Sequence, residues 1–552
     1  MKDFSDYFAG EIDYFCFNKN SLIIVDFCHN CCIIRRVYPL CRYCLGAEMF
    51  LFLSENRMNV VKIVFLLLSS FLSAWMFQYI CFGRPTFIVS ATFFFLVLSL
   101  FNTSRFYLNI FSLLLAFVFP AAKVFGSGIV QPAALDVLLT TNISEAVGFH
   151  EVLPVHLLLQ GIFLIIVFAL MLFFNKKLSV DLFKEKSYFR YVLTALSLIC
   201  VSVYGYRAFE PRISEMIEAY GFILDEEKPK DSDFKIISKS HKYDNYVVIV
   251  GESMRSDFMS TYGFPLETTP FISKMNKHLI SNFISPAPNT TLSVPRFLSL
   301  TVDGKLQDHN NAVNLAKLAG FDTHWISSQG FSGESCSPAG RVARYADHKT
   351  FVPIQNDFVL LPTIEKALLD SHNKVVFIHI VGSHENPCSK LYGYPNNYRY
   401  NVGKVMNCYL ATYNKTDEFV EKVVNMLKAN SKSYSLVYFA DHGLNFVESS
   451  GEYKIFRDPD IKQSYNVPFF VVASDIRENR EYNVTRSAFN MMDFYASWFG
   501  VRTNLTKDDY DIFNEESDSN PLVVNYDFSL TPYKGKHDGV MASDVYKNMV
   551  AK

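Results

Sequence analysis

The sequence predicts a membrane domain of five helices followed by an exported α/β domain with a mostly parallel central sheet. Half of the 552 residues are hydrophobic, and residues 59–205 are strongly apolar, which favours membrane-spanning helices. Beyond residue 240, strand-like runs alternate with helical patterns, as expected for an α/β domain. The formal net charge of −2 argues against a nucleic-acid partner.

The membrane domain is predicted from five apolar segments, each near the ~17–25 residues that a bilayer requires. Four lysines lie in residues 175–187, between the fourth and fifth segments, whereas residues 127–152 contain no Lys or Arg. The positive-inside rule therefore puts 175–187 in the cytoplasm, and an odd number of spans puts everything after residue 205 outside it. The predicted spans are 59–80, 86–102, 106–126, 153–174 and 189–205.

Residues 1–58 precede the first span and allow two interpretations. Cys28, Cys31, Cys41 and Cys44 are paired as in a small zinc module. The gap between the two pairs is shorter than in the usual zinc ribbon. We therefore favour a cytoplasmic extension over a zinc module.

Residues 206–240 form a predicted linker between the membrane domain and the exported domain of residues 241–552. Apolar residues recur in it at helical spacing, so we expect a helix that lies either on the membrane surface or against the exported domain. An oxidising compartment permits disulfides. We expect Cys388 and Cys408 to pair, because both lie in one loop-rich stretch, and Cys336 to be left over.

The central sheet is predicted from short runs that are rich in β-branched and aromatic residues, as in buried parallel strands. Apolar residues at helical spacing fill the gaps between these runs. The predicted strands are 246–250, 323–327, 375–381, 435–440 and 467–473, and the predicted helices include 310–319, 362–370 and 413–428.

Two of these strands end in side chains that bind metals. Glu252 follows the first strand, and Asp441 and His442 follow the fourth. In open α/β sheets the ligand site lies beyond the carboxyl ends of the strands. Carboxylates and imidazole are ligands of Zn²⁺. The two strand ends therefore predict a zinc-type site.

Two further loops carry polar side chains that fit such a site. Ser293 suits a helix N-cap and Pro295 the first helical turn, so Thr290 and Thr291 would lie beside a helix N-terminus, where an anion is favoured. His384 follows the third strand. Each of these residues alone is more often structural, and it is their combination in one α/β domain that indicates function.

In chain order, five motifs of the exported domain resemble those of the phosphoethanolamine transferases, in the sulfatase-like branch of the alkaline phosphatase superfamily. Five amino-terminal spans and an exported catalytic domain also match, over about residues 59–510. The resemblance implies an alkaline-phosphatase-like fold for the exported domain. The motifs are Gly251-Glu252-Ser253-x-Arg255, Thr290-x-x-Ser293-Val-Pro295, Gly382-Ser-His384, Asp441-His442-Gly443 and Tyr465-Asn-Val-Pro-Phe469.

The resemblance implies that Glu252, Thr290, Asp441 and His442 hold one Zn²⁺ and that Thr290 is the nucleophile. Thr291 is the alternative nucleophile. A threonine hydroxyl is a poor nucleophile at neutral pH, and a bound cation lowers its pKa. The same cation neutralises charge that develops in an in-line displacement.

The resemblance also implies residues that contact the substrate. The segment that ends in Gln329 (WISSQ) resembles one beside the site in many sulfatase-like proteins, and His384 is expected to act in catalysis and in substrate binding. Thr141 and Glu145 resemble residues that line the lipid-facing part of the pocket. Ala496 stands where the family usually has a further His, which helps to hold substrate or a second metal, so the chemistry of a second site is in question.

The implied reaction transfers phosphoethanolamine from phosphatidylethanolamine to Thr290 and then to a cell-envelope acceptor: lipid A, lipopolysaccharide core or a periplasmic glucan. The implied location is the bacterial inner membrane, as a multi-pass protein with its catalytic domain in the periplasm, and we expect a monomer. The alternative is a phosphoglycerol transferase of the same superfamily. A degenerate, membrane-anchored binding protein is less favoured, because only Ala496 supports it. A sulfatase is disfavoured, because Arg296 lies one position too early for the formylglycine motif.

Overall fold

A computed structural model describes ten stretches of the chain: residues 38–82, 85–125, 155–178, 191–206, 230–329, 338–352, 356–370, 373–508, 510–526 and 528–550. The described residues of the apolar part are largely helical. The helices are α1 (Tyr38–Phe82), α2 (Ile88–Ser99), α3 (Asn102–Phe125), α4 (Val155–Phe173) and α5 (Tyr191–Tyr206).

Three of the five predicted spans are long and apolar enough to cross a membrane. These are Val60–Phe82, Thr103–Pro120 and Val155–Phe173. Helices α2 and α5 are apolar but shorter. The 12 residues of α2 extend over only about 18 Å at ~1.5 Å per residue, against a hydrocarbon core of about 30 Å. The described residues therefore confirm three candidate spans and do not confirm the count of five.

Polar side chains connect the apolar helices. The hydroxyls of Ser73 in α1 and Ser112 in α3 lie 2.7 Å apart. The buried guanidinium of Arg105, also in α3, donates from Nε to Asn175 Oδ1 at 3.0 Å and from Nη2 to the Asn175 carbonyl at 2.7 Å. Buried polar groups need such partners, and hydrogen bonds between helices are a common means of association in membranes.

The second half of the chain folds around a nine-stranded sheet. Its helices are α6 (Pro270–Lys274), α7 (Thr290–Leu298), α8 (Ala312–Ala319), α9 (Pro338–Ala343), α10 (Leu361–Leu369), α11 (Pro387–Lys390), α12 (Lys404–Asn430), α13 (Met491–Phe499) and α14 (Ala542–Val550). The strands of the large sheet are β2 (Asn245–Gly251), β3 (His278–Ile284), β6 (Asp322–Ser327), β7 (His348–Phe351), β8 (Lys374–His379), β9 (Tyr434–Ala440), β12 (Asn466–Val467), β13 (Phe469–Ala473) and β14 (Arg480–Ser487). Strands outside it are β1 (Ile236–Lys239), β4 (Ser299–Val302), β5 (Lys305–Asn311), β10 (Asn445–Ser449), β11 (Glu452–Phe456), β15 (Val501–Thr503), β16 (Leu522–Val524) and β17 (Leu530–Pro532).

The strand order of the large sheet is β12-β3-β13-β9-β2-β8-β6-β7, with β14 paired to β3. Strand β2 lies near the centre and is parallel to both β9 and β8. Strands β6, β7 and β8 are also mutually parallel. Almost every residue of β2 and β9 is buried, which explains why both strands are continuous apolar runs. The sheet is therefore mostly parallel, as predicted.

The predicted strand 467–473 differs from the others. Pro468 interrupts it, so β12 and β13 are separate strands, and both pair antiparallel with their neighbours. Proline has no N–H for a sheet ladder, which accounts for the break. Strand β3, which β12 and β13 flank, was not predicted.

Two contacts position the loops at the carboxyl edge of the sheet. The ring of Phe297 in α7 stacks on Phe439 of β9 with centroids 4.4 Å apart, which attaches α7 to the sheet. A disulfide joins Cys388 in α11 to Cys408 in α12, with their Cα atoms 4.9 Å apart. This confirms the predicted pair, while Cys336 lies outside the described residues.

Candidate metal and nucleophile site

Two neighbouring parallel strands bring the predicted metal ligands together. In the register of β2 and β9, Gly251 lies opposite Ala440, so Glu252 and Asp441 are the next residues on adjacent strands. Both are fully buried, and His442 is almost fully buried. The nitrogen or oxygen ligand atoms of Glu252, Asp441 and His442 lie within 4.8 Å of one another.

Thr290 points its hydroxyl into this group. Its Oγ donates to the carboxylate of Glu252, at 3.1 Å from Oε1 and 3.0 Å from Oε2, and lies 3.3 Å from His442 Nε2. Thr290 is the first residue of α7, because the side chain of Asn289 caps the helix by accepting from Leu292 N at 3.1 Å. The hydroxyl therefore combines a helix N-terminus with a buried carboxylate and an imidazole.

The ionisable side chains of this group shift one another's pKa values. Burial disfavours the charged form of Glu252, but a hydrogen bond from His442 and the charges of His384 and His442 hold its pKa well below its ordinary value. Burial and the charge of Glu252 raise the pKa of Asp441 to about 8. Burial lowers the pKa of His442, but the charges of Asp441 and Glu252 outweigh that effect and raise it to about 9. Two carboxylates that ionise against each other in a buried site favour a cation between them.

The side chains fit a divalent cation. Oδ2 of Asp441 is buried and has no hydrogen-bond partner among the described residues, although such atoms rarely remain unpaired. His442 donates from Nδ1 to the Gly443 carbonyl at 2.8 Å, so Nε2 is the nitrogen that could bind a cation once its proton is lost. Glu252, Asp441, His442 and the hydroxyl of Thr290 thus supply four oxygen or nitrogen ligands around one point.

Neighbouring groups hold the two carboxylates in place. Glu252 accepts from Gln329 Nε2 and from Ser253 Oγ, each at 2.7 Å. Asp441 Oδ1 accepts from the backbone N–H of Ser253 at 3.0 Å and of His442 at 2.7 Å. Ser253 makes its contacts from a left-handed backbone conformation, with φ of +56°. Gln329, predicted as a substrate contact, lies against the carboxylate of Glu252.

His384 lies in the loop after β8, at the same edge of the sheet. Its backbone N–H donates to Val381 and its Nδ1 donates to the Glu385 carbonyl at 2.7 Å. Glu385 forms an ion pair with Arg457, 2.9 Å from Nε to Oε1, with both side chains largely buried. The ion pair of Glu385 with Arg457 could not be predicted, because the two residues are 72 positions apart in the sequence.

Of the remaining predicted residues, the structure describes Thr291 and Ala496. Thr141 and Glu145 lie outside the described residues. Thr291 follows Thr290 in α7 and is half-buried. Ala496 is buried in α13 among the apolar side chains of the main core.

Comparison with known proteins places this site in a family context. The sulfatase family model matches residues 244–501. Phosphoethanolamine transferase OpgE of Escherichia coli K12 is 32% identical over 306 residues, which are 53% of this chain and 57% of that protein. A putative phosphoethanolamine transferase of Haemophilus influenzae is 31% identical over 362 residues, covering 60% of this chain and 72% of that protein. The chain thus spans little more than half of the length of OpgE.

A similar fold is also found among solved structures. The integral membrane protein lipooligosaccharide phosphoethanolamine transferase A (EptA) of Neisseria meningitidis covers 81% of this chain and 96% of its own, with a TM-score of 0.52 and 14% identity. At that identity the likeness concerns the fold alone. It spans both the helical part and the sheet domain.

Proposed function

The chain belongs to the phosphoethanolamine transferases of the sulfatase family, and we propose that it transfers phosphoethanolamine to a cell-envelope acceptor through an intermediate on Thr290. One observation carries this proposal. The Thr290 hydroxyl lies 3.0 Å from a carboxylate oxygen of Glu252 and 3.3 Å from His442 Nε2, at the start of a helix. A nucleophile, a hydrogen-bond acceptor that orients it and a site for phosphoryl charge meet at one point.

We propose Zn²⁺ as the cation, held by Glu252, Thr290, Asp441 and His442. Two carboxylates, a hydroxyl and an imidazole form a donor set that Zn²⁺ accepts. When bound, the cation would lower the pKa of the hydroxyl and neutralise developing phosphoryl charge. His442 can serve as a ligand through Nε2, because its other nitrogen is occupied by the Gly443 carbonyl.

In the first step, Thr290 Oγ forms a bond to phosphorus while the bond from phosphorus to the diacylglycerol oxygen breaks. Thr290, oriented by its hydrogen bond to Glu252, gives up its proton to water, and the diacylglycerol oxygen takes up a proton from water as it leaves. The N-terminus of α7, where Thr290 lies, would favour the negative charge of the phosphoryl group. In the second step, an acceptor hydroxyl or phosphate oxygen attacks phosphorus, and Thr290 Oγ leaves and regains its proton.

The donor in this proposal is phosphatidylethanolamine, a bilayer lipid, and the acceptor is lipid A, lipopolysaccharide core or a periplasmic glucan. The apolar helices α1, α3 and α4 would hold the site at the membrane surface, where the donor is. We place the protein in the bacterial inner membrane as a multi-pass monomer with a periplasmic catalytic domain. His384 would act on the substrate from its loop beside the ligands.

The test is mass spectrometry of envelope lipids and glycans from cells that carry the wild-type gene, Thr290→Ala or Thr291→Ala. Thr291 is the matched control, because it is the next residue of the same helix turn. We expect a phosphoethanolamine-modified species with the wild type and with Thr291→Ala, and its loss with Thr290→Ala. Retention of the modified species in Thr290→Ala cells contradicts the proposal. A glycerol-phosphate modification that depends on Thr290 would replace the proposed head group.

A further inference from the structure

A second cluster of metal-binding side chains lies far along the sheet from Thr290, at the edge formed by β6 and β7. It contains Asp322 and His324 of β6 and His348 of β7. The first site lies beyond the carboxyl ends of β2 and β9, whereas Asp322 and His348 are the first residues of their strands. The first cluster therefore lies at the carboxyl ends of the parallel strands, and the second lies at their amino ends.

The register of the strands brings these three residues to one face. Successive side chains of a strand alternate between faces, so Asp322 and His324, two residues apart, share a face. In the parallel pairing of β6 with β7, His324 lies opposite His348. This pairing adds the second imidazole to the same face. The cluster is thus built into the sheet and does not depend on a flexible loop.

The distances suit a cation between the side chains. Nε2 of His324 lies 2.9 Å from Asp322 Oδ2, and Nε2 of His348 lies 3.1 Å from Asp322 Oδ1. The three ligand atoms lie within 4.8 Å of one another. With ligands at about 2.0–2.2 Å, a tetrahedral zinc site needs neighbouring donor atoms about 3.5 Å apart. The observed separations of 2.9 and 3.1 Å are close to that spacing.

The charges of the cluster also favour a shared cation. The two imidazole rings stack with centroids 4.5 Å apart and planes 24° from parallel. Two protonated rings in this arrangement would repel each other.

The lysine on the neighbouring strand is held by other partners. Lys374 of β8 lies opposite Asp322 in the sheet register. Its buried ammonium donates to the carbonyls of Ala367 at 3.0 Å and Asp370 at 2.5 Å, at the end of α10. The carboxylate of Asp322 thus remains directed at the two imidazoles.

We propose that Asp322, His324 and His348 form a second binding site for a divalent cation of the Zn²⁺ class, which joins the edge strand β7 to β6. Two imidazoles and one carboxylate select a borderline cation over Ca²⁺ or Mg²⁺, which prefer oxygen ligands. The side chains of Asp322 and His324 are 23% and 14% exposed, and that of His348 is 59% exposed. The cation can therefore enter from solvent, and a fourth position is open to water. The role is structural, because β7 has only four residues and lies at the edge of the sheet.

The test is the zinc content of the full-length protein in detergent, purified with a tag that lacks histidine, loaded with ZnCl₂ and separated from free metal. We expect two equivalents in the wild type, one in His348→Ala and one in His442→Ala. His309→Ala is the matched control. His309 also lies 2.9 Å from a carboxylate, Asp233, and 3.9 Å from Asp308, but it belongs to neither of the metal-binding groups found among the described residues. It should retain two equivalents.

The outcomes separate this site from the proposed catalytic site. If zinc binds only at the site of Asp322, His324 and His348 (the edge site), the wild type holds one equivalent. His348→Ala then loses this equivalent, and His442→Ala keeps it. Zinc content that is unchanged in His348→Ala overturns the edge site. An equal loss in His309→Ala would show nonspecific binding to surface histidines and would also overturn it.

A second measurement guards against unfolding of the variant. We expect ZnCl₂ to raise the thermal midpoint of His442→Ala, in which the edge site remains, and not that of the double variant His442→Ala/His348→Ala. His348 is largely exposed, so its replacement should leave the midpoint without zinc unchanged. An equal rise in both variants contradicts the proposal.

Discussion

Gly382 is not one of the proposed metal ligands, but its replacement by alanine should displace one of them, Glu252. Gly382 has φ of +48°, and a Cβ built there would lie 3.0 Å from the carbonyl oxygen and 3.1 Å from the backbone nitrogen of Glu252. The left-handed conformation costs about 1–2 kcal/mol for a residue with a Cβ, partly offset by about 0.4–1 kcal/mol from the unfolded chain. Overpacking against a fixed backbone adds about 1–3 kcal/mol. We expect a total loss of about 2–3 kcal/mol in the free energy of unfolding.

Gly393→Ala is the matched control. Gly393 also has a positive φ, +84°, but nothing lies within 4 Å of its added Cβ, so only the conformational cost of about 0.5–1 kcal/mol applies. Chemical denaturation of both full-length variants measures the difference, and transferase activity measures the effect on Glu252. A displacement of about 1 Å at a catalytic group can cost 100-fold in rate, so activity should fall in Gly382→Ala alone. Equal stability and activity in the two variants would refute the reasoning.

Three further outcomes are expected. Replacing both Cys388 and Cys408 by alanine should lower the free energy of unfolding by about 3 kcal/mol, because the disulfide closes a loop with a separation of 20 residues; a denaturation midpoint equal to that of the wild type speaks against this. Gln329→Leu removes the 2.7 Å hydrogen bond to the carboxylate of Glu252 and should weaken zinc affinity or kcat/KM about 10–100-fold. Unchanged zinc affinity and kinetics would show that Gln329 does not position Glu252. Zinc binding at pH 7 should release about two protons, because without metal the pKa of Asp441 is raised to about 8 and that of His442 to about 9. Affinity therefore rises with pH, and calorimetry in buffers of different ionisation enthalpy that finds no proton release would contradict it.

The strands beside the site could be predicted because their environment leaves a simple pattern. Strand β2 is buried on both faces, so it is a continuous apolar run, and the predicted 246–250 differs from Asn245–Gly251 by one residue at each end. Strand β3 has no such pattern. Its Ser281 and Asn282 are polar because they bond to groups of the neighbouring strand β14, at Tyr482 and Thr485.

The proposed metal ligands could be predicted from the sequence, whereas the residues that position them could not. Glu252, Asp441 and His442 each follow a recognisable strand, whereas the role of Thr290 was inferred from motif order and family resemblance. Gly382 approaches the backbone of Glu252 because of a turn after β8. The spacing of residues in the sequence does not reveal that turn. The Asp322, His324 and His348 cluster depends on the β6–β7 register, and β7 is too short to produce a periodic signal.

The central claim is that Thr290 carries the phosphoethanolamine group during turnover. The most direct measurement is peptide mass spectrometry of the full-length protein after brief incubation with phosphatidylethanolamine and no acceptor. We expect phosphoethanolamine on the peptide that contains Thr290, at that residue, with none in Thr290→Ala and an unchanged level in Thr291→Ala. Transfer to an acceptor without modification at Thr290, or modification at Thr291 instead, would contradict the account.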